Sequence, residues 1–168
     1  MDEETLKELG KLVGEKDHLI YQAVKAGGIS RLSGESRSIA EAIQDHLHLS
    51  HVRNAFEFAD VREGQPYEIQ HEGTRVNPLA HVTLHAAVKE SIKQHEWARW
   101  AFSKLLSEGV SKHHAEHILS MIFTESLWNV SHGGDAVGFR RGAEEICASR
   151  KVRRRWIRTA PEGHASME

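Results

Sequence analysis

The apolar positions of this chain recur mostly at intervals of three and four residues, and alternating runs of β-branched residues are scarce. That is the period of amphipathic helices rather than of half-buried strands. Residues 3–26 carry Leu6, Leu9, Leu12, Val13, Ile20 and Val24 as one stripe, weakened by Gly10 and Gly14 and ended by Gly27-Gly28. After a Ser/Gly loop over 29–35, a second helical region spans 36–61, with Ile39, Ile43, Leu47, Leu49, Val52, Phe56 and Phe58 as its apolar content. Residues 62–76, with Gly64, Pro66 and Gly73, read as a loop.

Asn77-Pro78 then opens a helix over 78–93. Asn is a good N-cap, and Pro fits the first turn, where its missing N–H costs nothing. Leu79, Val82, Ala86, Val88 and Ile92 are its expected buried positions. A helix over 95–108 carries Trp97 and Trp100, expected in a core or an interface, and stops at Gly109. Ser111 is the expected cap of a helix over 112–130. Its broad apolar surface of Ile118, Leu119, Ile122, Phe123, Leu127 and Trp128 predicts the most buried helix of the set. Gly133-Gly134 breaks the chain, and Asp135 caps a last helix that runs to about 149 and frays onward. The prediction is an all-α, single-domain bundle of five to six helices over 1–158, followed by a disordered tail over 159–168.

Composition changes this picture in one respect. The 168 residues hold 22 Lys and Arg against 24 Asp and Glu, a net charge of −2, so the chain as a whole has no strong attraction for nucleic acid or anionic membranes. No apolar run approaches the ~18 residues of a membrane span, and the acidic start MDEETLKELG lacks the apolar core of a signal peptide. The single cysteine, Cys147, forms no intramolecular disulfide and fits a reducing cytoplasm. The basic run at residues 150–158 reads as a solvated end rather than a nucleic-acid contact. A homo-oligomer is compatible with the pattern, and no small-molecule substrate is indicated. The outlier is histidine, present 13 times.

Two pairs of those histidines stand four apart, His81/His85 and His113/His117. Such residues lie about 40° apart around a helix and one turn along it, so each pair forms a two-imidazole clamp. Facing helices of bundles build mono- and di-metal sites in this way. Imidazole with carboxylate, and no thiolate nearby, suits iron, zinc or manganese. The expected ligands are His81, His85, His113 and His117, with Glu125 as a further ligand or bridge. Glu116 is the expected hydrogen-bond partner of a ligand or a general base. His46 is assigned to a solvated helix face. HHAEH also fits the H-x-x-E-H peptidase motif. A five-residue match in a histidine-rich, short, helical chain carries no assignment of proteolysis, because peptidases bearing that motif are large mixed α/β proteins.

NPLAHVTLH (77–85), HHAEH (113–117) and ESLW (125–128), in this order, make the chain resemble a family of small bacterial proteins of unknown function, domain-of-unknown-function family 1841. That family shows N-P-[FL]-x-H-x-x-x-H, then H-x-A-E-H, then E-x-x-W. The resemblance covers about residues 45–135 and supplies no known reaction. It implies that His81, His85, His113, Glu116, His117 and Glu125 belong to one constellation. It also extends to HLHLSH (46–51), where His48 and His51 are further candidate ligands. The chain departs from the family in Ala80, where a larger apolar residue is usual, and in its basic C-terminal segment. The expectation is a metal-binding protein, using a divalent transition metal such as iron or zinc, with iron-dependent redox or oxygen chemistry as the natural use of iron. The alternative is a non-enzymatic helical interaction module with structural histidines.

Overall fold

The computed structural model describes residues 15–62, 68–71, 74–133, 135 and 138–159. It divides into two compact units, Met1–Ala86 and Ala87–Glu168, with the dividing point inside one helix.

In the first unit, helix α1 (residues 15–25) is followed by a 3-10 turn, Ile29–Arg31, then α2 (Gly34–Asp45), α3 (Ser50–Glu57) and a second 3-10 turn, Asp60–Arg62. A short antiparallel hairpin, β1 (Ile69–His71) and β2 (Thr74–Val76), pairs Ile69 with Val76 and His71 with Thr74. Helix α4 (Pro78–Gln94) begins in this unit. The core gathers Ile20, Tyr21, Val24, Ile39, Ile43, Val52, Phe56, Val82 and Ala86. Asn77 caps α4 as expected: its Oδ1 accepts from the Leu79 and Ala80 amides at 3.0 and 3.1 Å.

Two expectations for this unit are corrected. The segment 62–76, read as a loop, contains the hairpin; its Gly64, Pro66 and Gly73 lie outside the described residues. The single helix expected over 36–61 is broken at 46–49 into α2 and α3. The apolar phase gives the reason. Taken from Ile39 on an unbroken helix, Ile43 and Leu47 sit at roughly 40° and 80°, whereas Leu49, Val52 and Phe56 fall at roughly 220–280°. One straight rod would turn one of these sets away from the core. The bend lets Ile43, Val52 and Phe56 all reach it, each nearly inaccessible.

The second unit holds the rest of α4, then α5 (Glu96–Ser107), α6 (Lys112–Ser131), α7 (Gly138–Ala148) and α8 (Arg150–Thr159). Its core is Val88, Ala101, Leu105, Ala115, Ile118, Leu119, Ile122, Phe139, Ala143 and Ile146. Trp97 packs edge-on against Phe139, with ring centroids 5.1 Å apart. Helix α7 lies close on α6: a methyl group at Gly142 would overlap Ile122 Cγ2, and one at Gly138 would stand 2.9 Å from Ser126 Oγ. Gly109 ends α5 at φ 83°, a left-handed conformation that glycine adopts at no steric cost.

The helices number eight among the described residues, against the five to six expected. Besides the break in the second helical region, the difference comes from α8. Residues 150–158 form a capped, packed helix rather than a frayed end. Ser149 Oγ accepts from the Val152 amide at 3.3 Å, and Val152 is partly buried while Trp156 and Ile157 pack against the core. The cap position of α7 and residues 160–168, where most of the expected tail falls, lie outside the described residues. The far half of α6 is also less buried than expected: Leu127, Trp128 and Val130 are exposed, Trp128 by 63%. No helix among the described residues is long and apolar enough to cross a membrane.

Candidate metal centre

In the first unit three imidazoles meet. The cap of α4 sets the first turns of that helix, so that His81 and His85 project from one face. The C-terminus of α2 delivers His46. The three rings form a nearly equilateral triangle, with centroids 4.9 Å apart for His46–His81, 4.7 Å for His46–His85 and 4.8 Å for His81–His85. Each ring offers a nitrogen within 4.8 Å of the other two. His46 and His85 are 0% and 1% exposed, and His81 is half-buried.

The protonation pattern of His46 follows from its neighbours. Its Nδ1 lies 2.7 Å from the Ala42 carbonyl oxygen. A carbonyl only accepts, so Nδ1 carries the hydrogen, and in the neutral ring Nε2 presents a lone pair. That lone pair faces His81 Nε2 at 3.2 Å. Metal-bound histidines characteristically donate their other ring N–H to a carbonyl or carboxylate, which fixes tautomer and orientation together. Two nitrogens bound at 2.0–2.1 Å to a common tetrahedral ion stand about 3.3–3.4 Å apart, so the His46–His81 separation fits shared coordination as well as a hydrogen bond. The donor set therefore suits a metal ion.

In the second unit, Ser111 caps α6 as expected, its Oγ accepting from the His114 amide at 3.2 Å. The capped turn fixes the register of His113, Glu116 and His117. His113 Nε2 and His117 Nε2 are 3.1 Å apart, with ring centroids at 4.6 Å, so the expected i, i+4 clamp is formed. Glu116 points into the protein, where Lys89 Nζ of α4 donates to its Oε1 at 3.0 Å; the two side chains are only 3% and 9% exposed. Buried charges persist when paired and hydrogen-bonded, and this pair meets that condition. The neighbouring His114 is buried, and its Nε2 has no hydrogen-bond partner among the described residues.

Three expected ligands fall outside these groups. Glu125 is exposed on α6 and belongs to no ligand cluster among the described residues. It stands eight residues beyond His117, roughly 12 Å along the axis and rotated by about 80°. His48 is exposed at the bend and His51 half-buried in the first turn of α3; neither joins a cluster among the described residues. His46, assigned from sequence to a solvated face, is instead fully buried and central to the trio. The signal was present: His46 lies seven residues after Ile39, only about 20° away on the apolar stripe.

A helical protein with clustered, oriented imidazoles that could hold a metal ion is the class these features define. The chain belongs to the DUF1841 family, a domain of unknown function, whose family model matches residues 21–141. No match was found among curated proteins or among solved structures.

Proposed function

We propose that this protein binds a divalent transition metal through His46, His81 and His85 of the first unit, and that the His113/His117 clamp of the second unit is by itself a second pair of candidate imidazole ligands. The observation that carries the reading is the tautomer lock on His46. Its N–H is committed to the Ala42 carbonyl and its lone pair faces a second imidazole nitrogen at 3.2 Å. A hydrogen bond from His81 would satisfy that lone pair too, and it is the third ring, His85, with a nitrogen within 4.8 Å of both others, that favours an ion held among the three. An all-nitrogen donor set without thiolate suits zinc or iron. Iron would supply redox or oxygen chemistry, and zinc would supply Lewis acidity or a structural tie. Glu116, held by Lys89, serves either as a hydrogen-bond partner of a ligand or as a general base.

Elemental analysis of untagged protein, as purified and after loading with Fe²⁺ or Zn²⁺, tests the reading. A stoichiometric ion is expected, lost on His81→Ala with the helical circular dichroism retained. A content near zero that added metal does not raise would refute it. The alternative of a non-enzymatic interaction module draws on the exposed Trp100 and Trp128, 60% and 63% accessible. It predicts wild-type behaviour of the His81 variant in every metal assay.

A further inference from the structure

Helix α8 has the sequence RKVRRRWIRT, with six Arg and Lys side chains and no carboxylate. At 100° per residue most of its cations gather on one side. Arg150, Arg154, Arg158, Lys151 and Arg155 fall at roughly 0°, 40°, 80°, 100° and 140°, a continuous arc, while Val152 and Trp156 lie opposite at roughly 200° and 240° and Ile157, at roughly 340°, borders the arc beside Arg150. The structure bears this out: the five cations of the arc are exposed, and the apolar side chains are partly or largely covered.

The sixth cation, Arg153, is spent internally. It is buried, donates to Glu108 Oε1 from Nε and Nη2 at 3.1 and 2.8 Å, and donates to the Ile146 carbonyl at 2.6 Å. This contact holds the Glu108 carboxyl below its ordinary range, with Arg150 and Lys104 adding to the effect. The two carboxylates of the preceding helix, Glu144 and Glu145, are engaged by Arg140 and Arg141. No ion pair neutralises Arg150, Lys151, Arg154, Arg155 or Arg158 among the described residues. The net charge of −2 conceals this. Residues 1–86 carry 9 basic and 14 acidic side chains, a balance of −5, whereas residues 87–168 carry 13 and 10, a balance of +3.

From this stripe we infer that α8 is a nucleic-acid-binding surface that grips the phosphate backbone without reading bases. Three physical points select this partner. Arginine's planar fork matches phosphate oxygens, and four of the five exposed cations are arginines. From Arg150 to Arg158 the helix rises about 12 Å, over which the two strands of duplex DNA together present about seven phosphates at ~1.7 Å each, enough for all five exposed cations. The arc contains no apolar side chain to seed a protein interface, and the apolar face that a membrane-inserting helix would use is turned into the unit's own core.

Fluorescence anisotropy of full-length protein with a labelled mixed-sequence duplex tests this, titrated between 50 and 200 mM salt. Five phosphate contacts predict a log–log salt slope near −4.5, so binding weakens about 500-fold over that range. Arg154→Glu/Arg155→Glu removes two contacts, so its salt dependence should fall to about 40-fold, with weaker binding at every salt concentration. Arg154→Lys/Arg155→Lys should keep the slope. These positions are exposed, so circular dichroism is expected to show an unchanged fold; if the charge reversal unfolds, Lys151→Gln/Arg158→Gln replaces it with the same expected slope. Equal salt slopes for wild type and charge-reversed protein would overturn the inference. So would binding to phosphatidylserine vesicles with none to duplex.

Discussion

The proposed metal centre is tested most sharply at His46, the ligand that sequence reasoning passed over. Asparagine at position 46 keeps an amide N–H near the place of Nδ1, within reach of the Ala42 carbonyl, but has no atom at Nε2. It therefore preserves the local hydrogen bond and deletes the ligand. A structural zinc site with four protein ligands has an apparent binding free energy of about 10–16 kcal/mol, so one ligand in four corresponds to about 2.5–4 kcal/mol, or roughly 10²- to 10³-fold in affinity. At a free metal concentration 100 times the wild-type Kd, binding stabilises the folded state by about 2.7 kcal/mol. For a chain of this size that is a rise in Tm of about 5–11 °C. The same metal concentration reaches the variant's weakened Kd at best, where the gain drops to about 0.4 kcal/mol and a degree or two.

Thermal denaturation followed by circular dichroism supplies the four numbers needed: wild type and His46→Asn, each with chelator and with Zn²⁺. Any packing cost of the substitution appears equally in both conditions and cancels from the difference. A metal-induced shift as large in the variant as in the wild type would refute the argument from the His46 tautomer, even if the protein binds metal elsewhere.

Two further predictions concern charge within the fold. Replacing either partner of the Lys89–Glu116 pair alone, as Lys89→Met or Glu116→Leu, should cost about 3–5 kcal/mol in urea unfolding with chelator present, because the remaining charge stays buried. The double variant should recover most of that loss, and additive costs would show the pair to be uncoupled. Burial raises the Asp17 carboxyl from 3.8 to about 6. A folded-state pKa above the unfolded value means that this group's stabilisation is present below pH 4 and is lost as pH rises through about 6. Asp17→Asn should accordingly raise stability at pH 7.5 by about 1–3 kcal/mol after allowance for partial solvation, and the two proteins should converge near pH 4. Melting curves across pH 4 to 7.5 that stay parallel would contradict it.

The helices and the imidazole pairs could be read without coordinates because each depends on local periodicity alone. The caps at Asn77 and Ser111 depend on a side chain reaching an amide two or three residues on, and both form as the sequence indicates. The clamps at His81/His85 and His113/His117 follow from the helical turn in the same way. A helix wheel, however, says which residues share a face and not what that face meets. The apolar stripe of 36–61 changes phase near Leu47, yet only packing against the core of the first unit settled that the chain bends there and carries His46 to the α4 imidazoles.

The same gap separates Arg153 from its five cationic neighbours on α8. In sequence all six look alike, and the run suggests a solvated end. Packing of the partly buried Trp156 and Ile157 against the core, with Glu108 waiting 45 residues earlier in the chain, turned Arg153 inward and left the others as one exposed stripe. Local pattern thus determined the elements and their candidate ligands, because hydrogen bonding and capping act over a few residues. Tertiary structure decided which ligands meet and which charges face water, because burial depends on partners distant in sequence.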